Sequence, residues 1–186
     1  MKIVVFDTET TGLFDPDLPE DHMDQPWPVQ LGVCVLQDFE IAETLNTVMI
    51  PPEGTPFSDA AVALHGLSPE VVLDIGRPMA DVFYSFHQLC KGAEIVCTYN
   101  FAFDSRIMLS SAKRIGFERE LWSPDAYEHC IMIQAQEHFR DRLPLKRVYQ
   151  RLFNRQLTDA HDAFADTIAA TEIFRLLTAE INLDVA

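Results

Sequence analysis

Positive charge is scarce in this 186-residue chain: 14 Lys and Arg stand against 29 Asp and Glu, for a formal net charge of −15. Affinity for a polyanion rests largely on Lys and Arg at phosphates, so the total alone argues against such a partner. The distribution weakens that objection. Residues 1–50 carry ten acids against Lys2 alone, whereas 106–155 hold ten of the fourteen basic residues against six acids, which leaves room for a basic flank facing an acidic site. Long apolar runs are missing too. Although 48% of residues are hydrophobic, no uninterrupted stretch approaches the roughly 20 residues of a membrane span. Asp7 follows Met1-Lys2-Ile3-Val4-Val5-Phe6 too early for a signal-peptide apolar region. A soluble, cytoplasmic protein is the expectation. Cys34, Cys90, Cys97 and Cys130 lack C-x-x-C spacing and a clustered His, so they read as reduced core thiols rather than a metal or redox site. No internal repeat or low-complexity segment appears.

What is present reads as one α/β domain over 1–186 with an acidic, Pro-rich insertion at 14–28. That insertion, FDPDLPEDHMDQPWP, has four prolines, five acids and no periodicity, and is predicted to be an exposed loop. Val29 to Gln37 and Ile41 to Ile50 are β-type runs joined at Asp38-Phe39-Glu40, a hairpin. With the apolar run before Asp7 they make a three-stranded meander. Ser58 is placed to cap a short helix through Leu64. Met79, Val82, Phe83, Phe86, Leu89 and Cys90 recur at helical spacing. A short strand over Glu94 to Tyr99 leads into a helix from about Phe103 to Ile115, and a last strand is predicted near Tyr127 to Met132. Helices at about 133–140, 144–153 and 162–179 complete the pattern.

The stretch Val4-Val5-Phe6-Asp7-Thr8-Glu9-Thr10-Thr11-Gly12-Leu13-Phe14 puts two carboxylates at i and i+2 on a strand, facing one way. At ~4 Å and an effective dielectric of about 20, their repulsion is of order 4 kcal/mol, so something must offset it or a proton must stay on. Acids at a strand end can simply face solvent. Asp104, in Tyr99-Asn100-Phe101-Ala102-Phe103-Asp104, follows another strand at its carboxyl end, where open α/β sheets hold their sites; it could otherwise be a helix cap. His161-Asp162-Ala163-Phe164-Ala165-Asp166 leads into an amphipathic helix. On one helix His161 and Asp166 would lie ~140° apart, so they converge only if His161 stands in the connection ahead of it. Asp162 at the helix start suits an N-cap.

Asp7-x-Glu9 in FDTETTGL, N-x-x-F-D at Asn100 to Asp104 and H-x-A-x-x-D at His161 to Asp166 resemble, in order and separation, the three motifs of the DnaQ-like (DEDDh) 3′→5′ exonucleases. Leu64-His65-Gly66-Leu67-Ser68 is similar to that family's H-G-I-T segment, and Leu145-Lys146-x-Val148 to its L-K-x-V helix start. Tyr99 departs from a usual His, Thr167 from a common Ala, and the 14–28 loop is longer than usual. The resemblance implies a ribonuclease H-like fold, a mixed five-stranded sheet with a three-stranded antiparallel meander flanked by helices. It implies release of nucleoside 5′-monophosphates from nucleic-acid 3′ ends, single-stranded or frayed, DNA ahead of RNA, in proofreading or repair and with a polymerase or repair partner.

By the same resemblance Asp7 bridges two divalent cations, Mg²⁺ or Mn²⁺, with Glu9 and Asp166 on one and Asp104 near the other. Such ions offset the repulsion among four carboxylates, and two of them stabilise attacking and leaving oxygens. His161 is the side chain whose type, with an unperturbed pKa near 6.5, suits a general base. The backbone of Thr10, Thr11 and Gly12 and the side chain of Leu13 would hold the terminal nucleotide, with His65 and Phe103 lining its pocket; core packing for Leu13 and Phe103, and a turn role for His65, are equal alternatives. An exoribonuclease of the same fold is a second reading. A haloacid-dehalogenase-like phosphatase, with Asp7 as nucleophile and Lys146 assisting, and a non-catalytic nucleic-acid-binding module are readings of other classes.

Overall fold

The computed structural model describes residues 1–158 and 160–184, with side chains in the last helix only through 179. β1 (Lys2–Thr10), β2 (Pro28–Gln37) and β3 (Glu40–Ile50) form the antiparallel meander. The hairpin between β2 and β3 turns at Asp38 and Phe39, with φ 51 and 67; two consecutive positive φ values match the twist of the flanking strands. After α1 (Asp59–His65), α2 (Pro69–Ile75), β4 (Arg77–Pro78) and α3 (Met79–Cys90), the chain returns to the sheet as β5 (Ile95–Thr98). Then come α4 (Phe101–Arg114), β6 (Tyr127–Cys130), α5 (Ile131–Phe139), α6 (Leu145–Phe153) and α7 (Ala163–Asp184).

The strand order is β4-β3-β2-β1-β5-β6, with β5 parallel to β1 and β6 parallel to β5. The mixed sheet thus has six strands rather than five. The sixth, β4, is two residues beside Met49 and Ile50, too short for any periodicity to reveal. The helix α2 likewise leaves no sequence pattern: only Val72 is buried in it, so it lacks an apolar stripe. Ser58 does precede α1, but its side chain makes no cap bond.

Helices cover both faces of the sheet, so β1 reads as a continuous apolar run. Val4 and Phe6 pack with Met108, Phe83 and Phe86 on one face; Ile3 and Val5 pack with Ile173, Phe174 and Leu177 of α7 on the other. Strand alternation continues the second row into Asp7 and Glu9, which therefore face the layer of α7. The close seat of α7 depends on Gly32, the β2 partner of Asp7. A Cβ there would run into the Ala163 carbonyl and lie 2.6 Å from the Thr167 hydroxyl. Because the obstacle is backbone, Gly32→Ala is expected to shift α7, with a loss of about 1–3 kcal/mol in chemical denaturation; unchanged stability would mean that the helix seat is soft.

Candidate active site

Asp7 and Glu9 stand at the carboxyl end of β1, Asp7 half-buried and Glu9 buried. Asp104 lies in the first turn of α4, 3% exposed. It approaches from the opposite layer, where its Oδ1 accepts the Thr8 N–H at 3.2 Å and the Thr8 hydroxyl at 2.8 Å. Asp166 comes from the first turn of α7 and is 8% exposed. His161 stands ahead of α7 with φ 70, a left-handed conformation in which His is enriched among non-Gly residues. Its backbone N–H donates to Asp166 Oδ2 at 3.2 Å. One donor atom each from Glu9, His161 and Asp166 lie within 4.8 Å of one another.

The start of α7 is held by two polar residues. Asp162 Oδ1 accepts the N–H groups of Phe164 and Ala165 at 3.1 and 2.9 Å, satisfying donors that a helix leaves unpaired. Gln30, 5% exposed and the β2 partner of Glu9, donates to Asp162 Oδ2 at 2.7 Å and accepts the Ala163 N–H at 3.2 Å. Gln30 and Thr8 thus position the acids, and neither stands out by motif. The one signal for Gln30 was an amide inside an otherwise apolar strand. Gln30→Leu is expected to cost about 1–3 kcal/mol, because it leaves the buried Ala163 N–H unpaired, and to lower turnover more than it raises KM. Denaturation and steady-state kinetics check this.

Burial, then the charges of Asp104, Asp166, Glu9 and Asp162, hold the Asp7 carboxyl well above the carboxylate range. Glu9 is pushed up to about 8 by burial, then by Asp166, Asp104 and Asp162. Burial raises Asp104 to about 6 against the opposing bonds from Thr8, and also raises Asp166. Asp166 Oδ1 is buried without a hydrogen-bond partner. A set of crowded carboxylate oxygens, each disfavoured as an anion and one left unpaired, fits a hard divalent cation.

Beside the acids, Thr10 Oγ1 donates to the Gly12 carbonyl at 2.7 Å. Thr11 is 3% exposed and its N–H bonds Trp27 O at 2.8 Å. Leu13 projects with 82% exposure. Phe103 meets Phe14 edge to face at 6.1 Å. His65 Nδ1 accepts the Leu67 N–H at 3.0 Å, which leaves Nε2 as donor to the Thr10 carbonyl at 3.1 Å. Both His65 nitrogens are thereby engaged by backbone, so the ring fixes the 10–12 segment.

A scan of protein families matches residues 4–174 to a model described as "Exonuclease". The chain belongs to the exonuclease family. A "DNA polymerase III subunit epsilon-like protein" of Rhodobacter capsulatus is 30% identical to this exonuclease-family chain over 184 residues, 96% of the chain and 24% of that relative. Solved structures that share the fold include two of exonuclease I. Escherichia coli exonuclease I with a dT13 oligonucleotide matches at TM-score 0.77 and 18% identity over 95% of this chain and 41% of that one. A zinc-ion-bound complex of the same enzyme with single-stranded DNA matches at TM-score 0.78 and 19% identity over 96% and 40%. The chain thus spans about a quarter of the curated relative's length. No described helix is long and apolar enough to cross a membrane.

The three departures from the DnaQ-like pattern have local explanations. Tyr99 donates its hydroxyl to the Leu143 carbonyl at 2.6 Å, and Thr167 donates to Ala163 O at 2.7 Å. The 14–28 segment is better organised than its composition implies. Gln25 Nε2 donates to the Asp15 and Leu18 carbonyls at 2.8 and 3.0 Å, and Trp27 is 1% exposed beneath the Arg114 guanidinium, 3.6 Å above its ring. Glu20 and Asp21 pair with Arg106 and Lys113 at 2.8 and 2.6 Å. The first three cations of 106–155, Arg106, Lys113 and Arg114, thus anchor the loop.

Proposed function

We propose that the protein is a 3′→5′ exonuclease that removes nucleoside 5′-monophosphates from single-stranded or frayed 3′ ends, DNA ahead of RNA. The observation that carries this reading is the convergence of Glu9, His161 and Asp166 within 4.8 Å beside Asp7 and Asp104. Asp7, Glu9, Asp104 and Asp166 are the residues that would hold two Mg²⁺ or Mn²⁺ ions, which when bound supply positive charge to the attacking and leaving oxygens. His161 takes the proton of the attacking water, and its exposure lets it pass that proton to solvent. Leu13 offers an apolar edge to the terminal base, an interaction of ~1–3 kcal/mol that is indifferent to sequence. Family membership displaces the phosphatase reading. The name of the Rhodobacter relative supports a polymerase partner, and a cytoplasmic location agrees with both.

A 5′-labelled oligonucleotide with Mg²⁺ or Mn²⁺ tests the reading. It should shorten in single steps and release mononucleotides, and EDTA should stop it. Shortening from the 5′ end, or binding without shortening, would sink the proposal; faster digestion of the matched RNA would move it to an exoribonuclease.

A further inference from the structure

A polyanion whose reacting end lies among four carboxylates needs positive charge elsewhere along its length. Segment 140–147 carries Arg140, Arg142, Lys146 and Arg147 against Asp141 alone, in a chain of net charge −15. All five side chains are exposed. Four of the ten other basic residues are held in ion pairs: Arg106 and Lys113 by the acidic loop, Arg155 by Glu172 and Arg175 by Glu40. Among the described residues no ion pair reaches the four in 140–147.

Their position points at the site. Tyr99 follows β5 directly and precedes Asn100, which opens the helix of Asp104, and its hydroxyl donates to the Leu143 carbonyl at 2.6 Å. The Met132 N–H reaches the Tyr99 carbonyl at 2.9 Å, so α5 also starts at this edge. The helices α6 and α7 pack together: Tyr149 bonds Glu172 at 2.6 Å, and Phe153 shares a cavity with Glu172, Leu176 and Ala179. Leu143, held by Tyr99, stands two residues before α6, so the amino end of that helix, with Lys146 and Arg147, lies toward the edge where Asn100 opens the helix of Asp104.

We infer that segment 140–147 is the phosphate track for the nucleic-acid strand that leads away from the carboxylate cleft. The inference rests on the nuclease reading for what occupies the cleft. Its cations are exposed, suited to backbone contacts that place a strand without reading sequence.

The test measures binding of a long 5′-fluorescein oligothymidylate to the full chain in EDTA across a range of KCl, with Arg142→Gln/Lys146→Gln as variant. Each phosphate contact to a single strand contributes about 0.7 to the slope of log affinity against log salt, so the slope is expected to fall by about 1.4. Lys91→Gln/Arg119→Gln makes the same charge change elsewhere. Lys91 lies beside Lys2 at the start of β1 and Arg119 over Tyr84 of α3, so this control keeps the wild-type slope. A wild-type slope in the first variant, an equal loss in the control, or polyglutamate competing as well as oligothymidylate would overturn the inference. The slope is read without turnover, so a chain that binds the strand but never shortens it would overturn the nuclease reading and leave the track standing.

Discussion

Asp7→Asn is expected to abolish exonuclease activity while raising the melting temperature of the ion-free protein. Stabilisation by bound divalent ions is worth several kcal/mol at the transition state, so losing one of the carboxylates proposed to hold them would lower the rate by about a thousandfold or more. The stability gain comes from the same crowding. Asp7 lies within the field of Asp104, Asp166 and Glu9 and is itself raised well above the carboxylate range; removing its charge relieves the others. The pH dependence carries a definite sign. Glu9 moves from 4.5 to about 8 on folding, so between those values the native state binds more protons than the unfolded one, and stability falls as pH rises. At 1.36 kcal/mol per pH unit the effect is of order a few kcal/mol. Ion-free wild type should therefore melt lower at pH 8 than at pH 5, Mn²⁺ should raise the melting temperature more at pH 8, and Asp7→Asn should flatten both trends. Melts in EDTA and in MnCl₂ decide it. A variant that is destabilised at pH 8, or still digests oligonucleotides, would show that the four acids do not act as one cluster.

The same cluster shows where sequence reasoning reaches and where it stops. The alternation of Ile3, Val5, Asp7 and Glu9 is local, and it placed both acids on one face before any neighbour was known. The five-residue gap between His161 and Asp166 was equally informative, because helix geometry excluded a shared helix face and required the loop position now found, with φ 70 at His161. Contacts distant in sequence were not legible. Arg114 lies 89 residues from the Gln25 carbonyl it bonds at 2.7 Å, and Gln30 lies 132 from Asp162. A Pro-rich acidic run therefore reads as an exposed loop although it is strapped to α4, and a strand glutamine carries no motif although it clamps the helix of Asp166. The two-residue β4 left no pattern at all. Gly32 belongs to the same class: that a glycine faces Asp7 across the ladder becomes meaningful only once the Ala163 carbonyl is found against it.

His161→Gly should separate chemistry from architecture more cleanly than any substitution of an acid. General-base catalysis contributes about 10²–10⁴ in rate, and a loss of that order is expected. Stability should change by no more than about 1 kcal/mol. Glycine adopts the left-handed backbone without the Cβ penalty that His161 bears, which offsets the greater chain entropy it loses on folding. The one bond by which residue 161 holds Asp166 is made by its backbone N–H and survives the change. Binding of the labelled strand in EDTA should likewise be retained. Because the side chain is exposed, free imidazole can enter the space it leaves, and added imidazole should restore part of the rate in proportion to its concentration. A purely structural histidine would give neither outcome: its loss would lower the melting point, and a diffusing base would restore nothing. A rate unchanged by His161→Gly would remove the residue from catalysis and leave the proton of the attacking water to a group outside the three motifs.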